Sequence, residues 1–242
     1  MTAASAATAT ENNAMLRRGK ARDLAEIFIA YALIMMVIWT PRAAQRVLWW
    51  VAAAGVAAII CLSFDGWAAA GMRAANFWRS SWIVGAALAL SAAAILVAAR
   101  LGTLHMPRTV LAFVGTYVAY AIWSAVQQFL LQGMFLTRFL RVIPRAWLAA
   151  LAAAGLFSAA HLPSPFLAPI TLVWGFAACL LFLRYRNLYP LALAHAILGI
   201  TIAITVPGTF DHNMRVGLGY LTYNSHHPHH RHLPVVQPSP KE

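Results

Sequence analysis

"SAVQQFLLQGMF", Ser124 to Phe135, sets two glutamines side by side and a third four residues after them, inside an otherwise apolar run. A primary amide carries two N–H donors and a carbonyl acceptor. Burying those groups without partners is costly. The stretch therefore predicts a helix that turns its amides toward polar groups on other helices. At 100° per residue, Ser124, Gln128 and Gln132 share one face, and Gln127 points about 100° away from Gln128. The amides can serve as a working polar site or as interhelical glue, where hydrogen bonds average about 0.6 kcal/mol.

The rest of the chain supports the membrane setting. Of 242 residues, 62% are hydrophobic and 10% charged, against roughly 25% charged in a soluble domain. Apolar runs at 24–39, 47–64, 82–99, 110–136, 146–162, 166–183 and 188–206 predict an all-α, polytopic membrane helix bundle of about seven transmembrane helices. The run from Val110 is too long to cross upright, so it should tilt, kink or continue along the interface. Asp65–Ser81, rich in Trp and Arg, predicts an interfacial amphipathic helix. Residues 1–23 are expected to form a disordered basic tail, 24–206 the bundle, and 207–242 a polar His- and Pro-rich tail.

With a net charge of +12, the Arg residues between apolar runs read as membrane anchors and headgroup contacts rather than a nucleic-acid surface. A cytoplasmic N-terminus puts eleven of the 18 basic residues inside and seven outside, which the positive-inside rule favours. Much Ala and Arg with little Lys fits a GC-rich bacterial genome and an inner membrane. Cys61 and Cys179 lie in separate apolar runs and read as free thiols. The five clustered histidines of the tail surround Pro228, which breaks helical spacing; a solvated segment is expected there.

The acids are few: Glu11, Asp23, Glu26, Asp65, Asp211 and Glu242. None falls at the centre of a run. Glu26 is expected in the first turn of the first helix, where an acid suits the helix dipole. Two histidines do fall in apolar runs: His161 closes "AALAAAGLFSAAHLP", and His195 lies within "LYPLALAHAILGI". Phe157 and His161 are four apart and share a face. Two imidazoles and a glutamine cluster on three runs predict a convergent polar site.

In order and spacing these positions resemble the CPBP intramembrane peptidase family, which includes type II CAAX prenyl endopeptidases and bacteriocin-processing proteins. That family's pattern is Glu-Glu-x-x-x-Arg, then Phe-x-x-x-His, then His-x-x-x-Asn. Here "QQFLLQG" puts Gln127, Gln128 and Gln132 at the Glu, Glu and Arg positions, with Gly133 following. "FSAAH", Phe157 to His161, is intact. "HAILG" keeps His195, with Gly199 in place of Asn. The likeness runs over about 82–206. It implies a glutamate-type membrane peptidase in which the first Glu and the middle His activate water while the later His and Asn stabilise the oxyanion.

The departures fall on that chemistry. An amide does not take a proton from water, so Gln127 is no general base; Gly199 offers no side-chain donor. Exchanging both members of the Glu–Arg pair for amides reads as a coordinated refit, since losing one member of a buried pair is the costly change. Two functions within this family stay open, beside a third in which an unrelated transport or scaffold protein uses the histidines and glutamines only for packing. One is an intramembrane peptidase with His161 or His195 as base and Gln127 and Gln128 orienting water or substrate, with Gln132, Phe157 and Gly199 lining the binding site. The other is a non-catalytic relative that binds, chaperones or scaffolds. Two histidines without a carboxylate fall short of a catalytic zinc site, so no metal or cofactor is expected. The expected partners are the lipid bilayer and a membrane-associated peptide or lipid-anchored protein, and no nucleic acid.

Overall fold

A computed structural model of the chain describes residues 3–73, 77–107 and 109–223, with side chains from Gly19 onward. Every described regular element is helical: α1 Ala3–Ile38, α2 Arg42–Leu62, α3 Phe77–Ser80, α4 Trp82–Leu101, α5 Val110–Gln128, a π-helical segment Phe129–Leu136, α6 Thr137–Val142, α7 Ala146–Ala159, α8 Leu167–Tyr185, α9 Tyr189–Thr205, α10 Gly208–Asp211 and α11 Gly217–Leu221.

Each of the seven apolar runs carries a helix. Four stretches are long and apolar enough to cross a membrane: Arg42–Leu62, Phe77–Leu101, Val110–Val142 and Leu167–Tyr185. The apolar helices α7 and α9 are shorter, with 14 and 17 residues. At 1.5 Å per residue they reach about 21 and 26 Å, against a hydrocarbon core of roughly 30 Å. Length and composition thus support four spans, consistent with an integral membrane protein. The outward faces are apolar: Leu111 is 83% exposed and Trp78 83%, as lipid contact allows.

The bundle is built around α9, which packs between α4 and α5 and buries His195, Gly199 and Thr201 along with its apolar residues. Pro190 sits in its first turn, where the missing N–H costs nothing. Thr201 donates to Ser91 Oγ at 2.7 Å, tying α9 to α4. Alongside, α7 packs on α8 through small residues: Ala149, Ala150, Ala153 and Ala154 are fully buried. Gly175 of α8 stands so near that a Cβ there would lie 3.4 Å from Ala154 Cα. Small side chains let the backbones close up where no water drives association.

The long run from Val110 continues as one helical stretch to Val142. It starts at Thr109, whose hydroxyl accepts the Ala112 N–H at 3.2 Å, and widens into π-helix from Phe129. Such insertions shift the register of one face and recur at functional sites.

Three expectations are corrected. Glu26 is not in a first turn, because α1 begins at Ala3 and continues through the N-terminal stretch; the Ala-rich opening is a good helix former. The segment 65–81 is no continuous helix. Gly66 and Gly71 take positive φ of 92° and 73°, and at Gly71 a Cβ would fall 2.4 Å from the Phe182 ring while its carbonyl accepts the Leu188 N–H. The segment turns there to lock the α8–α9 corner. Residues 207–223 fold back on the bundle, with Gly217 N–H donating to Leu162 O at 2.7 Å and α11 against α1. Arg138, expected as a headgroup anchor, is 2% exposed. Its Nε donates to Glu26 Oε2 at 2.6 Å. The tail histidines fall outside the described residues.

Candidate functional site

The glutamine face of α5 and the π segment meets α9 in one continuous hydrogen-bonded line. Gln132 Nε2 donates to Gln128 Oε1 at 2.6 Å, and Gln128 Nε2 lies 2.9 Å from His195 Nδ1. Both glutamine side chains are fully buried and His195 is 7% exposed. The amide pair expected one turn apart therefore forms, and it continues onto the imidazole of α9.

The direction of this line fixes a proton. With Gln128 accepting from Gln132 through its oxygen, only its N–H₂ end is left for His195. An N–H₂ group donates, so Nδ1 of His195 accepts and Nε2 carries the hydrogen. His195 presents a donor beyond the line.

His161 is held the opposite way. It lies in the turn just past the end of α7, and its Nδ1 is 2.7 Å from Phe157 O. A carbonyl oxygen only accepts, so Nδ1 carries the hydrogen and Nε2 keeps its lone pair. The contact also satisfies one of the carbonyls that a helix C-terminus leaves free. The Phe157 ring joins the two histidines: its centroid lies 4.8 Å from that of His161 and 5.8 Å from that of His195, both edge-to-face. The two imidazoles therefore lie no farther apart than the sum of those distances, one free nitrogen accepting and the other donating.

The remaining expected residues separate. Gln127 is half-buried and, among the described residues, has no hydrogen-bond partner. Gly199 is buried one turn beyond His195; a Cβ there would lie 1.9 Å from the Tyr120 hydroxyl oxygen. Trp174 of α8 lies 6.2 Å from the His195 ring. Sequence reasoning missed Trp174 and Tyr120, since an aromatic in an apolar helix looks like core or lipid contact. Two buried polar atoms around the line have no partner among the described residues: Gln132 Oε1 and Trp174 Nε1. Buried polar atoms are nearly always paired.

Among the described residues no group of three or more His, Cys, Asp or Glu comes together to hold a metal ion. A concavity elsewhere is lined by Ser63, Asp65, Gly133 and Arg138. Its charges are already engaged: Glu26 with Arg138 and Arg22, Asp65 with Arg141. Ser63 there donates its hydroxyl to Glu26 Oε1.

No curated protein and no solved structure matches the chain. A family model does match, and it covers the helices that assemble the Gln132–Gln128–His195 line. Residues 112–201 match the model of the family described as type II CAAX prenyl endopeptidase Rce1-like.

Proposed function

We propose that the chain is an integral membrane peptidase that draws a peptide segment between α5, α7, α8 and α9 and hydrolyses it with His161 as general base. The observation that carries this reading is the pair of opposed imidazoles on one phenyl ring, Nε2 of His161 free to accept and Nε2–H of His195 free to donate. The lone pair takes a proton from water as the oxygen bonds to the substrate carbonyl carbon. The donor receives the negative charge that develops on the carbonyl oxygen. Collapse breaks the C–N bond, and the proton passes from His161 to the leaving amine; one water is consumed, and an acid and an amine are formed. Two unpartnered atoms suit a peptide guest: Trp174 Nε1–H pairs with a carbonyl, Gln132 Oε1 with an N–H. The substrate on this reading is a membrane-associated or lipid-anchored peptide, and the N-terminus faces the cytoplasm.

One observation favours the second reading, a binding protein that does not cut. Each side chain of the line is neutral, and Gln127, at the position of the family's first Glu, cannot take a proton. Purified protein in lipid nanodiscs, given a membrane-anchored fluorogenic peptide, separates the two. On the peptidase reading, His161→Ala lowers cleavage by about 10²–10⁴-fold and Gln127→Glu raises it. Binding without cleavage, unchanged by His161→Ala, overturns the peptidase in favour of the binder.

A further inference from the structure

We propose that the hydroxyl of Tyr120 is the second hydrogen-bond donor of this site, standing where a side chain at position 199 would otherwise stand. The inference rests on the peptide-binding reading of the His195 line and adds a residue to it.

Gly199 follows His195 by four residues on α9, so both face the same way. Gly199 is buried among helices rather than open. What fills the space above it is one group: a Cβ would meet Tyr120 Oη at 1.9 Å, Cζ at 2.6 Å and Cε1 at 2.7 Å. The oxygen is the nearest atom, so the polar tip of the ring rests on the glycine. A tyrosine ring is rigid, and no larger residue fits at 199 while it stays. Glycine at 199 and the phenol at 120 are therefore one arrangement seen from two helices.

The placement is set by the same face that carries the glutamines. Tyr120 precedes Ser124 by one turn and Gln128 by two on α5, and α5 packs along α9. The phenol oxygen thus lies about one helical turn, near 5.4 Å, along the seam from the Gln128–His195 bond. A phenol keeps its hydrogen at neutral pH and can donate it; the side chain nearest it on α5 is Ser124, one turn on, with which it shares a hydrogen bond until a guest competes for it. A carbonyl oxygen that receives His195 Nε2–H has a second lone pair, and Tyr120 O–H reaches it from the far side of the seam. No proton is transferred; the O–H strengthens its bond as charge builds on the oxygen.

Tyr120→Phe tests this, because it keeps the ring over Gly199 and removes only the hydroxyl. In nanodiscs the variant should unfold at the wild-type temperature. Its kcat on the anchored peptide should fall by about 10²-fold with KM nearly unchanged, and a peptide aldehyde, which hydrates to a tetrahedral diol, should bind at least about 10-fold more weakly. Gly199→Asn alone should lose function through the clash, while Tyr120→Ala with Gly199→Asn should recover part of it by supplying an amide donor from the other helix. If wild-type protein binds or cleaves and Tyr120→Phe matches it in kcat and in aldehyde affinity, the Tyr120 assignment is overturned and the peptide site stands. If wild-type protein neither binds nor cleaves, the peptide site itself falls, and the assignment with it.

Discussion

Two ends of one long helical run, Val110–Val142, bury polarity in opposite ways. Toward its C-terminal end, Arg138 is sunk to 2% exposure and meets Glu26 of α1, while Arg141 pairs with Asp23 and Asp65. Ten and six residues earlier, Gln128 and Gln132 are buried as deeply with no formal charge, and they lead to a neutral imidazole. The chain therefore does not avoid buried charge. It keeps charge where a second helix supplies the countercharge and uses amides where none does. Arg138 has α1 beside it; the glutamine line faces α9, which carries no acid or base other than His195. A lone carboxylate there would face the full cost of an unpaired buried ion.

The largest effect should come from breaking the charged end. Arg138→Ala leaves Glu26 half-sheltered with only Arg22 and Ser63, and should destabilise by about 3–5 kcal/mol. Thermal unfolding in detergent reads this directly. Glu26→Leu with Arg138→Met should recover most of the loss; if the double variant is as unstable as the single one, the pair is not what Arg138 contributes.

The neutral end can be pushed toward the other. Gln128→Glu places an acid among amides, and should cost about 1–3 kcal/mol as its neighbours lose partners. Adding Gln132→Arg rebuilds an i,i+4 ion pair, so the double variant should be more stable than the sum of the singles by about 0.5–3 kcal/mol in a mutant cycle. Simple additivity would break the comparison, because it would mean that the two positions do not share a hydrogen bond.

The smallest effect concerns a buried acid with neither device. Asp211, 2% exposed beyond the end of α9, makes no ion pair among the described residues; its Oδ1 accepts the Asn213 N–H at 2.8 Å. Burial raises its carboxyl above the usual range, although the backbone hydrogen bonds and His105 pull it back. A raised carboxyl binds its proton more tightly in the folded chain, so its stabilising share is full in acid and lost as pH climbs through the folded value. Asp211→Asn should then be slightly more stable than wild type at pH 7, the gap closing as pH falls through the carboxylate range. A variant less stable at pH 7 would show that the charged form is favoured.

Much of the site was legible from spacing. Gln128 and Gln132 had to share a face, and Phe157 had to lie beside His161, because a helix repeats every 3.6 residues. Membership of the line was not legible. Gln127 and Gln128 have the same chemistry in sequence, and only the packing of α9 against α5 selects the second. The charged cluster was hidden for another reason: Glu26 and Arg138 are 112 residues apart, and no local period relates them.

The sequence by itself determined that this chain is a helical bundle for an apolar medium, and that its polar residues fall on a few fixed helix faces. Both follow from composition and from backbone hydrogen bonds, which lipid forces to close within each segment. Only the tertiary structure decided which nitrogen of His195 carries hydrogen, that Tyr120 fills the space over Gly199, and that Arg138 is buried rather than anchored in headgroups. Those outcomes depend on which group another helix brings within 3 Å, a distance that periodicity along one helix cannot set.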